Sequence, residues 1–377
     1  LEYLLGLYLY RQDGQTHREG FAGTAGPALG LASGARLPSA GEVTTKNVAA
    51  FGNTTYALTD RLKLGVGFRW SWEKKSVDYQ IDGRAMAPLG IATGTFVDDH
   101  IDKDFSPTFT LNYAWTPRVT GYLRYAQGYK SGGYNLDFVS PTIFPNALEF
   151  EKETARSYEA GLKGDAFDRK LTFAFALFQT DFEDFQVDQF RDLGGGKVAI
   201  VIGNAAKARS KGAELEGSWR PTANLSFTGG LGVLDTTFVS FPGGGAQGRD
   251  VSGNRLPGAS KVQGNLAADY LIPVGDWQVA LHADYSHRGA YYSSVDNVEA
   301  RPLRGGGSVV WGKVKSQDLV NARVALSDPD RGWELALWAR NLFDRDYIAG
   351  YGSDFFGTSK QYYNPPRTWG VELGWSF

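Results

Sequence analysis

The sequence predicts an all-β chain, an antiparallel up-and-down β-barrel that crosses a membrane with about fourteen strands. Three observations carry this. Apolar and polar residues alternate with period two along most of the chain, and helical periodicity is nearly absent. Short polar turns alternate strictly with long connections. Aromatic residues gather near the ends of the alternating runs, at Trp70, Trp72, Trp115, Tyr125, Trp219, Trp277, Trp333 and Trp375.

The runs fall near 2–12, 44–58, 61–74, 104–115, 118–130, 152–164, 169–182, 198–218, 223–239, 259–271, 277–288, 317–327, 332–342 and 367–377. In the clearest, Leu62, Leu64, Val66, Phe68, Trp70 and Trp72 share one face, opposite Lys63, Gly65, Gly67, Arg69, Ser71 and Glu73. Leu171, Phe173, Phe175 and Leu177 repeat the pattern, as do Trp277, Val279, Leu281, Ala283 and Tyr285. Several runs exceed the ~10 residues that a tilted strand needs to cross a bilayer. The short turns are 59–61, 116–117, 166–169, 221–224, 273–276 and 328–331. Tight turns at one end and long loops at the other suit a transmembrane barrel, whereas Greek-key sandwiches have no reason to keep that asymmetry. The last run carries Trp369, Val371, Leu373, Trp375 and Phe377 on one face. In water it would be an aggregation-prone edge. In a membrane its apolar face meets lipid, and closure onto the first strand would satisfy its backbone.

Composition removes several functions. The 377 residues include no Cys and four His (His17, His100, His282, His287), none at metal-ligand spacing. No metal or cofactor site is therefore expected. Nucleophile-elbow and Walker motifs are absent, so no catalytic residue is expected and the chain reads as a non-enzyme. A net charge of −2 offers no basic face for nucleic acid. The longest apolar run, "FAFALF" at 173–178, is far below the ~18 residues of a membrane helix. The run Asp98, Asp99, His100, Asp102 and Asp104 sets four carboxylates at a close spacing that suits a divalent cation, but the plainer expectation is a solvated loop tip. "DFEDFQVDQF" at 181–190 reads as a strand continuing beyond the membrane.

Two stretches near the end, "NLFDRDY" (341–347) and "PPRTWGVELGWSF" (365–377), resemble the C-terminal signature of TonB-dependent outer-membrane receptors. "LRYAQGYKSGGYN" (123–135), "FEKETARSYEAGLKG" (150–164) and "GNAAKARSKGAELEGSWRP" (203–221) resemble strands of the same barrel. The likeness covers essentially the whole chain. It implies residence in the bacterial outer membrane and uptake of a scarce ligand, most often a ferric siderophore, bound at extracellular loops. The implied partners are outer-membrane lipid, the TonB complex acting through a plug domain, and the barrel-assembly machinery reading Phe377. That family's barrel has 22 strands with a plug and a TonB box. Residues 1–377 are expected to hold part of the barrel alone, although an even fourteen strands would also permit a small closed barrel.

The candidate ligand contacts are aromatic and basic residues of the long loops: Tyr129, Lys130 and Tyr134; Tyr291, Tyr292 and Trp311; Tyr347, Tyr351, Phe355, Phe356, Tyr362 and Tyr363. Aromatics supply large contact area at low entropic cost, and cations pair with an anionic chelate. The plain reading of any one of them is girdle or loop packing. Gly132 and Gly133 serve the backbone first, letting the chain turn tightly where it leaves the membrane. Two other functions fit parts of the pattern: a passive fourteen-strand channel, and a soluble carbohydrate-binding or adhesive β-protein.

Overall fold

The computed structural model describes residues 1–377 except 25, 137–138, 143–147, 193–197, 246–247, 303–307, 311, 354–358 and 377. Fourteen strands form one sheet in sequence order. They are β1 (Glu2–Phe21), β2 (Arg36–Ala57), β3 (Leu62–Ile81), β4 (Gly94–Thr116) and β5 (Val119–Lys130). Next come β6 (Glu153–Ala166), β7 (Leu171–Asp192), β8 (Val198–Trp219), β9 (Leu225–Ser240) and β10 (Val262–Val274). The last are β11 (Trp277–Arg288), β12 (Gln317–Asp328), β13 (Trp333–Arg340) and β14 (Thr368–Trp375). Every pairing is antiparallel between sequence neighbours, as an up-and-down wall requires.

Register sets the two faces. Leu281, Val324, Leu337 and Val371 stand opposite one another across β11 to β14. One residue along, His282, Arg323, Trp338 and Gly370 form the row on the other face. The aliphatic row points outward, with Leu337 57% and Val371 61% exposed. Only lipid makes such exposure inexpensive. Aromatic pairs stand on the outward face near the short turns, where Trp277 meets Trp333 edge-on at 4.9 Å and Tyr113 meets Trp115 at 4.8 Å. Farther along the strands, level with Phe109, Tyr125 packs on Tyr158 at 5.3 Å.

Side-chain oxygens make the short turns. Thr59 Oγ1 accepts from the N–H groups of Arg61 (3.2 Å) and Leu62 (3.0 Å). Thr116 Oγ1 does the same for Arg118 (3.2 Å) and Val119 (3.1 Å). These local bonds compete with continued strand and reverse the chain.

The structure differs from the sequence reading in three places. β1 to β4 run past their expected ends, so residues 13–21, 36–43, 75–81 and 94–103 are strand. Above the lipid the apolar side of the alternation changes face: Val77, Tyr79 and Ile81 join a buried cluster on the inside while Ser76, Asp78 and Gln80 take the outward side, so a pattern followed by its outward apolar face ends too early. The acidic run 98–104 is therefore β4, not a loop tip; His100, Asp102 and Asp104 face inward and are buried. Closure of the last strand onto the first is not found: among the described residues β1 pairs only with β2 and β14 only with β13. An 8-residue strand cannot satisfy the backbone of a 20-residue one. The extension at 181–190 is strand, as read.

Hydrophobic cores lie above the membrane band. Tyr79, Ile81, Met86, Val139, Leu148 and Val201 form one; Phe238, Phe241, Val251 and Val295 another; Tyr291, Val314 and Tyr351 a third. Long connections fold over the strand ends there and exclude water. An outward Leu337→Arg substitution should cost about 2–4 kcal/mol, whereas Thr172→Arg on the inner face should stay within about 1 kcal/mol. Reversible unfolding in lipid vesicles measures both; equal costs would overturn the assignment of faces.

Candidate ligand-binding face at the long-loop end

Two groups of candidate residues stand at the long-loop end. The first surrounds residues 129–135, where β5 leaves the sheet. The Lys75 ammonium donates to Ser131 Oγ and to the Gly132 carbonyl (2.5 Å), and pairs with Glu73 at 3.0 Å. Asn47 Nδ2 donates to the same Glu73 carboxylate at 2.8 Å. Gln186 Nε2 donates to the carbonyls of Ser131 (2.9 Å) and Glu151 (3.0 Å). Asn135 brackets Ile202, donating to its carbonyl (2.9 Å) and accepting from its N–H (2.8 Å). Asn204 closes the net on Glu151, with Oδ1 accepting from its N–H at 2.7 Å and Nδ2 donating to its carbonyl at 2.6 Å. The motifs at 123–135, 150–164 and 203–221 thus meet as one hydrogen-bonded joint.

His100 anchors that joint. Its Nδ1 lies 2.6 Å from Glu149 Oε1 and its Nε2 lies 3.0 Å from Asp102 Oδ2, which also accepts the Gly132 N–H at 2.8 Å. Burial opposes protonation, but the bond to Glu149 and the charge of Asp102 outweigh it, holding the imidazole above its ordinary value. Burial chiefly, with Asp98 and Glu149 nearby, pushes the Tyr134 phenol well up. No Cβ fits at Gly132, where it would stand 2.5 Å from both His100 Nε2 and the Phe150 carbonyl.

The second group stands on the connections after β11 and β13. Tyr291 and Tyr351 are buried; the Tyr291 hydroxyl donates to the Ala349 carbonyl at 2.5 Å and the Arg288 guanidinium lies 4.0 Å over its ring. Tyr292 donates to Glu299 at 3.1 Å, with the Lys313 ammonium 5.6 Å over its ring. Tyr347 donates to the Asp318 carbonyl at 3.2 Å. Tyr362 and Tyr363 are 56% and 64% exposed. Directly after them, Asn364 Nδ2 donates to Gln317 Oε1 at 3.0 Å. Asn364, Arg288, Gln317, Arg340, Asn341, Ser286, Glu214 and Glu216 line a concavity of about 850 Å³ against the wall. Gly230 and Gly232 also line it, where any larger side chain would fill space.

The predicted residues therefore divide. Tyr362, Tyr363 and Lys130 are exposed; Tyr129 and Tyr134 are half-buried in the joint; Tyr291 and Tyr351 pack in a core. Trp311, Phe355, Phe356 and Phe377 lie outside the described residues. The structure joins the 291, 347, 351 and 362 segments and leaves 129–134 at the end of β5, six strands away from β11. Sequence reasoning missed Arg288, Arg340 and the His100 joint. The one available signal for Asn341, its place in "NLFDRDY", has a structural cause: with φ 49°, it accepts from the Arg345 N–H (2.8 Å) and donates to the carbonyls of Arg345 (2.9 Å) and Pro365 (3.3 Å).

Two outcomes follow. His100 has a raised value in the folded protein, so its contribution is complete below the ordinary 6.5 and is lost as pH rises through the folded value. Thermal unfolding followed by circular dichroism should show stability falling above about pH 6.5, and His100→Gln should remove that slope. Gly132→Ala should destabilise by about 1–3 kcal/mol, because the joint has to part to admit one methyl; an unchanged melting temperature would refute the crowding.

Comparison with known proteins agrees with this geometry. The family model "TonB dependent receptor-like, beta-barrel" matches residues 2–342. The pesticin receptor of Yersinia pestis is 29% identical over 343 residues, covering 89% of this chain and 44% of that protein. The ferrichrome outer membrane transporter/phage receptor of Escherichia coli is 23% identical over 314 residues, covering 81% and 36%. The ferric yersiniabactin uptake receptor FyuA of Yersinia pestis superposes with a TM-score of 0.80 at 21% identity, over 100% of this chain and 51% of its own. The siderophore receptor PiuA of Acinetobacter baumannii gives 0.71 at 15% identity, over 98% and 52%. The chain thus spans between about a third and a half of the length of these relatives, which are transport receptors rather than enzymes. With a continuous antiparallel wall, an outward apolar band and a family match over most of its length, the chain belongs to the TonB-dependent receptor β-barrel family of the bacterial outer membrane.

Proposed function

We propose that this chain is wall and loop face of an outer-membrane receptor that captures a ferric siderophore for TonB-driven uptake. The observation that carries the reading is the pairing of exposed Tyr362 and Tyr363 with a polar concavity directly below them that holds Arg288 and Arg340. Flat phenols suit the rim of a chelate, and guanidiniums suit its negative charge. Relatives named for ferric yersiniabactin and ferrichrome support the ligand class. On this reading no covalent step takes place. The chain recognises the chelate, a plug domain within the whole barrel couples it to TonB, and the barrel-assembly machinery reads the last strand. Residues 1–377 are then one part of a wider barrel. A passive fourteen-strand channel would need β1 paired to β14, and among the described residues those two edges are not paired with each other.

The test is binding of ferric chelates to the full-length receptor in detergent, followed by intrinsic fluorescence. Tyr362→Ala with Tyr363→Ala should weaken Kd about tenfold or more, as rim aromatics do when they act as hot spots. Lys130→Ala should weaken it by a smaller factor, while Tyr351→Phe, inside a core, should leave it unchanged. If the double variant binds as tightly as the parent, the aromatic rim is not the site. If no ferric chelate quenches the parent protein, the ligand class is wrong.

A further inference from the structure

The exposed tyrosines stand on a ribbon that cannot hold its own aim. Ile348–Ser353 and Ser359–Tyr363 pair with each other as a two-stranded sheet, separate from the fourteen-strand wall. A lone pair of short strands is marginal in water, so whatever fixes its feet decides where its side chains point. Register adds a second demand. Ile348 pairs with Tyr363 and Gly350 with Tyr362, which makes Ala349 an extra residue, a bulge. A bulge bends its strand, re-aims the side chains beside it and leaves backbone groups off the ladder in need of other partners.

Those partners come from the wall and from the connection after β11. Gln317, the first residue of β12, is only 8% exposed and reaches both feet of the ribbon. Its Nε2 donates to the Ile348 carbonyl at 2.8 Å, and its Oε1 accepts from Asn364 Nδ2 at 3.0 Å. The Asn364 N–H donates in turn to the Tyr347 carbonyl at 2.9 Å, one step below the last ribbon pair. A single carboxamide thus ties the strand that enters the ribbon to the strand that leaves it. Tyr291 holds the bulge through the Ala349 carbonyl, and Ser293 Oγ accepts the Tyr351 N–H at 3.4 Å. A chain of amides fixes the exit: Asn321 donates to Asp284 at 2.8 Å and accepts the Asn341 N–H at 2.9 Å, and Asn341 donates to the Pro365 carbonyl. Farther out, Tyr362 lies across Gly352, where a Cβ would stand 3.2 Å from its ring.

Glutamine is chemically suited to this place. The Ile348 carbonyl needs a donor and the Asn364 amide needs an acceptor, and a carboxamide supplies both where a carboxylate supplies only the second. From this we infer that Gln317 is the positioning residue of the aromatic rim: it aims Tyr362 and Tyr363 by clamping both feet of their ribbon, and acts on affinity through them. The inference rests on the reading of those two tyrosines as the rim that meets a ferric chelate. Pre-organisation is the physical route, because a ligand that binds only the aimed ribbon loses affinity in proportion to the time the ribbon is not aimed. Gln317 also lines the concavity below, so direct contact with the ligand is the alternative to be separated.

The experiment uses the full-length receptor in neutral detergent. Amide hydrogen exchange is measured first, without ligand, over 348–353 and 359–364. Gln317→Ala should speed exchange there by about tenfold or more. Gln317→Glu, which keeps the volume and the acceptor but loses the donor, should do the same. Asn265→Ala, on the same concavity but with no hydrogen bond to the ribbon among the described residues, should leave exchange unchanged. Binding of ferric chelates, followed by intrinsic fluorescence, comes second. Gln317→Ala should weaken Kd about fivefold or more in the parent, but less than about twofold when Tyr362→Ala and Tyr363→Ala are already present, since the groups it aims are gone. Should Gln317→Ala fail to fold, Asn364→Asp, which removes the donor at the other end of the clamp, serves in its place with the same two readouts. Unchanged exchange would overturn the clamp. Losses in Kd that simply add would overturn the positioning role, because Gln317 would then meet the ligand itself. An unchanged Kd in the tyrosine double variant, with exchange still raised by Gln317→Ala, would strike the rim reading instead, and the part of Gln317 in binding with it.

Discussion

The constraint on which everything else rests is the need to satisfy backbone hydrogen bonds without water. In hydrocarbon an unpaired N–H or C=O costs several kcal/mol, so a chain that crosses with strands has to pair each one along its length. That requirement produces neighbour-to-neighbour antiparallel pairing from β1 to β14. It also explains why the short turns are held by threonine and aspartate side chains, which occupy backbone donors where the ladder stops. Once the ladder is set, side chains alternate between lipid and lumen without further choice.

The same constraint moves the apolar core. A soluble sandwich buries aliphatics between its layers, but here they face lipid, and the packed clusters form where long connections cover the strand ends. Aqueous stability at that end comes from polar joints as much as from burial. The His100, Asp102 and Glu149 contact ties β4 to a loop some fifty residues away, and Asn135 and Asn204 tie the 130s and 150s to β8. The motif residues at 129–135 thus read first as the fastening of a loop face.

Strand existence was legible because lipid imposes a strict period of two, and all fourteen strands fall where the alternation is found. Strand ends at the long-loop side were not legible, because past the band the outward face turns polar and His100, Asp102 and Asp104 look like a loop tip. Among candidate site residues, exposed Tyr362 and Tyr363 and buried Tyr291 and Tyr351 are alike in sequence. Composition marks a loop as aromatic; packing alone separates the tyrosines that hold a loop together from those left exposed on it. Arg288 and Arg340 gave no signal, since each is a lone cation at the end of a strand.

The tail "WGVELGW" at 369–375 shows the division most clearly. By itself the sequence determined that Trp369, Val371, Leu373 and Trp375 share a face and that this face suits lipid, because alternation and side-chain polarity are local properties. Tertiary structure alone decided what the other face does. Gly370 stands opposite Trp338, leaving room where a Cβ would lie 2.6 Å from the indole, and Glu372 approaches Arg323 at 3.7 Å from across β13. It decided too that, among the described residues, the strand pairs with β13 alone. Which residues become opposite, and which edge stays open, depends on register and curvature accumulated over the whole sheet, and no local pattern contains either.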